Sequence, residues 1–161
     1  MMGETIQPVD DGQLELDRIL RGLLQQALTA GDFNRAVLSV VSATSRELRG
    51  RLGAGQTSED FVAGFCFPLG PSGGSLGVAA SRGQELMLAM SWELMPQERR
   101  LLQSHYAGVL LMMPLVAGGR TIGALYLDTP LVVPTADDAL TRVRQVRDAI
   151  LQVLTRQNMA A

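Results

Sequence analysis

Residues 109–128 constrain this chain more than any other stretch. Two apolar runs, Val109 to Ala117 and Thr121 to Asp128, flank Gly118-Gly119. Paired glycines between strand-like runs specify a two-residue hairpin, because both turn positions need positive φ. Both alternating sets of the first run are apolar: Val109, Leu111, Met113 and Leu115 against Leu110, Met112 and Val116. A strand that is apolar on both faces must be covered on both. Pro114 lacks an N–H, so a bulge or an unpaired position is expected there. A membrane-spanning helix needs roughly 20 apolar residues. This run, broken by Pro114, therefore reads as a buried strand.

The rest of the chain supplies the cover. Leu14, Leu16, Ile19, Leu20, Leu23, Leu24, Ala27 and Leu28 recur at spacings close to 3 and 4, predicting a helix with one wide apolar face from about Asp11 to Ala30. Asp11 can cap it and Gly31 can end it. Ala36 to Ala43 is β-branched and reads as a strand. Arg46 to Leu52 returns, with Arg46, Leu48, Gly50 and Leu52 on one face and Glu47, Arg49 and Arg51 on the other. Thr57-Ser58-Glu59-Asp60 reads as a capping box for a short helix. Phe65 to Leu69 is expected to be extended, Pro71 to Gly74 a loop, and Leu76 to Ser81 one or two helical turns. Glu85 to Met90 is a candidate strand, and Pro96 opens a helix to about Tyr106. A last helix is predicted from Thr135 to about Gln157, with Thr135 and Asp138 as its capping box. Tight hairpins exclude parallel crossovers, so the fold class is α+β with an antiparallel sheet. One domain is expected over residues 11–157, after a flexible acidic N-terminus (1–10) and before a short tail (158–161).

Composition removes whole classes of chemistry. All 14 basic residues are Arg. Without Lys there is no Walker-type phosphate loop and no Schiff base. His105 and Cys66 are the single His and the single Cys. That excludes a His-rich metal site, an internal disulfide and a Cys-based zinc site. A net charge of −2 shows no basic excess for nucleic acid. Met1 to Pro8 has neither the basic start nor the apolar run of a signal peptide. A cytoplasmic protein without a membrane span is expected.

The stretch Met113-Pro114-Leu115-Val116-Ala117-Gly118-Gly119-Arg120-Thr121-Ile122-Gly123-Ala124-Leu125-Tyr126-Leu127-Asp128 resembles the closing hairpin of GAF domains. Arg49-Gly50-Arg51-Leu52-Gly53-Ala54-Gly55 and Phe65-Cys66-Phe67-Pro68-Leu69 resemble the GAF-like regions attached to HDOD domains in bacterial signalling proteins. The resemblance implies a central antiparallel sheet of five or six strands. It also implies N- and C-terminal helices on one side and short helices and loops on the other. It further implies a regulatory module that binds a small molecule between sheet and loops and dimerises through its terminal helices. Three subtypes do not match. The cyclic-nucleotide set Asn-Lys-x-Phe-Asp-Glu needs a Lys. Bilin attachment needs a Cys followed by His. Reduction of free methionine sulfoxide needs two Cys.

Under that reading Phe67, Arg82, Trp92, His105 and Tyr126 are the candidate ligand contacts. Trp92 can stack on a flat ligand or simply pack in the core. His105 can hydrogen-bond in a pocket or sit at a helix C-terminus. Cys66 reads as a small buried hydrophobe; a reactive thiol would need a cation such as Arg82 or His105 beside it. Arg46, Arg49 and Arg51 can grip a carboxylate or phosphate, or can line a solvated strand with Glu47 interleaved. Gly73-Gly74-Ser75-Leu76-Gly77 has the letters of a nucleophile elbow, which needs a strand directly before the Ser and a helix directly after it. Gly53-Ala54-Gly55 reads as a hairpin end or a loop rather than a dinucleotide turn.

The two terminal helices carry long apolar stripes: Leu16, Leu20 and Leu23 on one, Val143, Val146, Ile150 and Val153 on the other. Two such stripes exceed what one sheet face needs, so these residues are the expected homodimer interface. The functional expectation is a non-enzymatic sensory module with a small-molecule ligand of unknown identity and a signalling-protein partner. The alternative is an interaction scaffold with a filled, ligand-free core. An enzyme would need Ser75 or Cys66 within reach of His105.

Overall fold

The computed structural model describes residues 11–89, 108–130 and 136–160. Six strands form one antiparallel sheet in the order β3-β2-β1-β6-β5-β4. They are β1 (Arg35–Val41), β2 (Glu47–Gly55), β3 (Cys66–Pro68), β4 (Leu86–Ala89), β5 (Val109–Ala117) and β6 (Arg120–Thr129). Helix α1 (Asp11–Gly31) precedes the sheet and α4 (Asp137–Ala160) closes the chain. Between β2 and β4 come α2 (Glu59–Gly64), a 3₁₀ turn (Pro71–Gly73) and α3 (Gly74–Ser81).

Alternation along the strands divides the core into two clusters. On one face, Ala36, Leu38, Leu111, Met113, Leu125 and Leu127 pack with α1 and α4. On the other, Val37, Leu110, Met112, Ala124 and Tyr126 pack with Phe61, Phe65, Phe67 and Leu76 around α2 and α3. The expected arrangement, terminal helices on one side and short helices on the other, is therefore found. The closing hairpin turns as its glycines require, with φ of 59° at Gly118 and 75° at Gly119. β4 pairs with Val109–Met112 only, so beyond Met112 a missing donor on β5 is tolerated. The register shift of the hairpin falls between Leu115 and Val116, one step past Pro114.

Several local expectations are corrected. β1 and β2 slip register between Leu38 and Ser39, which pair with Leu52 and Gly50 and leave Arg51 as the extra residue. That bulge reverses the alternation. Leu48 consequently faces α2 and α3, whereas Leu52 faces α1 and α4. β2 runs on to Gly55, so Gly53-Ala54-Gly55 is strand rather than hairpin end or loop. Ser58, not Thr57, caps α2, accepting the Phe61 N–H at 3.0 Å. Pro71–Gly73 winds into the 3₁₀ turn and α3 begins directly at Gly74. Helix α1 does end at Gly31, but the left-handed residue is Asp32, at φ 58°. Gly31 is needed for space: a Cβ there would stand 2.6 Å from the Phe33 ring and 3.0 Å from Val143. The Pro96 helix and the Thr135 cap lie outside the described residues.

Candidate functional site

The α2/α3 face of the sheet buries its charged groups at one place. Arg35 begins β1 and Asp128 lies near the end of β6, directly opposite it in register. Two residues back along β6, on the same face, stands Tyr126. Arg35 Nε donates to Asp128 Oδ1 at 2.8 Å, and Arg35 Nη2 donates to Asp128 Oδ2. The Tyr126 hydroxyl donates to the same Oδ2 at 2.6 Å. The side chains of Arg35 and Asp128 are 5% and 0% exposed. The guanidinium carbon lies 4.1 Å from the centre of the Phe61 ring. Each partner thus answers a need of another. The two-pronged contact orients the carboxylate, the phenol fills a further lone pair, and the ring face covers the cation.

Burial and the neighbouring Asp128 carboxylate push the Tyr126 phenol well above its usual range. Tyr126 is therefore a neutral donor at any physiological pH. Its ring meets Phe65 at 5.3 Å between centroids, and Phe65 meets Phe67 at 5.0 Å and Phe61 at 6.4 Å. A wall of four aromatic rings consequently leads to the buried charges.

The structure brings Tyr126 and Phe67 together on this face, both buried. It does not bring Arg82 to them, because Arg82 is exposed at the C-cap of α3. Trp92 and His105 lie outside the described residues. Arg35, Asp128 and Phe61 were missed. Asp128 closes an otherwise apolar strand, and that oddity was a readable signal. Its partner was not readable, because β1 and β6 are neighbours only in the folded sheet.

The remaining candidates also find places. Cys66 Sγ donates to Glu47 Oε2 at 3.3 Å. Partial burial, then the Glu47 carboxylate, pushes the thiol pKa up. The thiolate needed for nucleophilic chemistry is thereby disfavoured. Ser75 lies inside the first turn of α3, after the 3₁₀ turn rather than after a strand, so the elbow geometry is absent. Among the described residues no group of three or more His, Cys, Asp or Glu is placed to hold a metal ion. No described helix is long and apolar enough to cross a membrane.

The expected dimer stripe is corrected in its reasoning. Leu16, Leu20, Val143, Val146 and Ile150 are buried within the chain, and Leu23 and Val153 pack against the same cluster. Helices α1 and α4 lie side by side on one sheet face, so each covers the other's stripe as well as the strands. That second contact is why one face absorbs both. The apolar side chains left outward on α1 are Leu14 and Ile19, 51% and 44% exposed.

No protein-family profile and no curated protein sequence matches the chain. Solved structures do. A GAF domain/HD domain protein from Geobacter sulfurreducens is 18% identical, with 92% of this chain and 97% of that one covered and a TM-score of 0.73. The GAF domain of a two-component sensor histidine kinase from Bacillus halodurans is 14% identical, with 90% and 97% covered and a TM-score of 0.74. The GAF-B domain of DevS from Mycobacterium smegmatis is 17% identical, with 91% and 99% covered and a TM-score of 0.64. Over 90–92% of its length, this chain has the fold of GAF domains.

Proposed function

We propose that the chain is a sensory or regulatory module that takes a small molecule on the α2/α3 face and signals through its terminal helices to a partner protein. The observation that carries this reading is the buried Arg35–Asp128–Tyr126 cluster. Apolar side chains of similar volume would stabilise the fold about as well as a buried ion pair does. The polar groups are therefore better explained by use than by stability. Among the described residues their cover comes from two short helices joined through Gly70, Gly73 and Gly74. Short, glycine-linked elements open at lower cost than a packed sheet. A ligand with a flat or apolar body and one polar group would meet the aromatic rings and the charged pair together.

An ion-pair cluster supports the part of this reading that involves the terminal helices. Glu85 follows α3 by four residues and leads into β4. It accepts from Arg144 Nε and Nη2, each at 3.0 Å, and from Arg147 Nη1 at 3.1 Å. A shift of α3 would move this anchor and bias α4, which is a population shift between arrangements rather than a new force. A homodimer belongs to the same proposal and would use the outward side of α1 around Leu14 and Ile19.

The second reading, a ligand-free interaction scaffold, is favoured by the filling of the same face: Phe61, Phe65, Phe67, Leu76 and Tyr126 are all buried. Native mass spectrometry of the gently purified chain, compared with its denatured mass, separates the two. Excess mass that vanishes on denaturation, and is reduced in Tyr126→Phe, supports the sensor. A bare mass, together with no stabilisation of the chain by any member of a broad metabolite panel, refutes the sensor and leaves the scaffold.

A further inference from the structure

The β1–β2 and β5–β6 turns lie at one end of the sheet, because β1 and β6 are antiparallel neighbours. Between these turns, beside the last turns of α4, opens a cavity of about 550 Å³. Val40, Ile122 and Leu154 are among its apolar lining residues, and three arginines line it, Arg46, Arg51 and Arg120. Among the described residues no carboxylate lines it. Arg51 is held by Asp17 at 3.3 Å. Among the described residues neither Arg46 nor Arg120 has an acidic partner.

Arg46 is placed there against backbone preference. Its φ is 55°, a conformation that glycine adopts at lower cost than any residue with a Cβ. The turn holds it firmly. Its N–H donates to Ser42 O at 3.0 Å, its carbonyl accepts Leu69 N–H at 3.1 Å, and Ser42 N–H donates to Glu47 O at 2.8 Å. Two unneutralised cations therefore share one cavity wall with a third that has a single acidic contact. Such like charges repel unless an anion sits among them. Guanidinium forks match the planar oxygens of a carboxylate and the oxygens of a phosphate. The apolar patch suits a hydrocarbon or aromatic body, and the volume is within the range of small-molecule pockets.

We propose that this cavity binds a small organic anion, a carboxylate or phosphate monoester on an apolar body. The site is separate from the Arg35–Asp128–Tyr126 face and does not depend on the function proposed for it. Arg46 and Arg120 would hold the anionic head and Arg51 would assist.

The probes are hexanoate, hexyl phosphate and neutral hexanol, titrated into the full chain while backbone amide NMR shifts are followed. Either anion should shift amides of the two turns, and hexanol should not. Which anion binds tighter decides between the carboxylate and the phosphate head. In Arg46→Gly with Arg120→Gln the affinity should fall by about tenfold or more, the loss of two charge-assisted contacts. Glycine relaxes the left-handed turn, so this variant stays folded, and its circular dichroism verifies that. Failure of both anions to bind, equal binding of hexanol, or unchanged affinity in the double variant would each overturn the proposal.

Discussion

Replacing Asp128 by Asn is the sharpest test of the buried cluster. The carboxylate accepts from Arg35 at Oδ1, at 2.8 Å, and from both Arg35 and Tyr126 at Oδ2. An amide of the same shape can supply one acceptor oxygen, but it turns an NH₂ toward a donor and leaves the guanidinium charge without compensation. Arg35 is buried and cannot recover the loss by hydration. Breaking a buried pair on one side costs about 3–5 kcal/mol. Against a total stability of roughly 5–15 kcal/mol, that is a large fraction. It lowers the melting temperature by about 6–20 °C at this chain length. Tyr126→Phe removes one hydrogen bond to a charged acceptor and should cost less, about 1.5–3 kcal/mol. Urea unfolding followed by circular dichroism measures both. The decisive comparison is the double variant Arg35→Met with Asp128→Leu. It removes both charges and should be far more stable than the sum of its single variants, because no charge is left alone. A loss below about 1 kcal/mol for Asp128→Asn, or strict additivity in the double variant, would refute the reasoning that these groups form one compensated unit.

Three other outcomes are expected. Ile150→Asp should abolish the folded circular dichroism signal rather than merely separate a dimer, because Ile150 is fully buried between α4 and the sheet and an unpaired buried charge is not tolerated. The Cys66 thiol should react slowly with iodoacetamide at neutral pH and speed up only above the ordinary thiol range, since burial and Glu47 raise its pKa; rapid neutral alkylation of the folded chain would contradict this. Hydrogen bonding to Arg144 holds the Glu85 pKa below its ordinary 4.5. Its stabilising contribution is then complete above that value and fades as pH falls through the lowered one. Melting curves of wild type and Glu85→Gln should converge in acid and separate toward neutral pH by about 0.2–1 kcal/mol for each exposed ion pair lost.

Much of the fold was legible because the signals are local. Gly118 and Gly119 sit where both turn positions need positive φ, and the run before them alternates as expected, with Leu110 and Met112 on one face and Leu111 and Met113 on the other. The stripes on α1 and α4 marked helices whose apolar sides are indeed buried. The site was only half legible. Phe67 and Tyr126 entered through the resemblance to GAF domains, but nothing near them in the chain names Arg35 or Phe61 as neighbours. The same limit explains the interface expectation: periodicity shows that a helix has an apolar side, not what covers it.

Sequence by itself thus determined most of the described helices and strands, because turn chemistry and hydrophobic period act over a few residues. It also removed lysine chemistry and paired-cysteine chemistry by simple absence. Tertiary structure alone decided which residues meet. Pairing of β1 with β6 brings Arg35 to Asp128, 93 positions apart in the chain. One extra residue at Arg51 sends Leu48 and Leu52 to opposite faces. Two helices on one face consume stripes that each could have offered elsewhere. Those outcomes depend on register and on packing between distant segments, and local propensity carries no information about either.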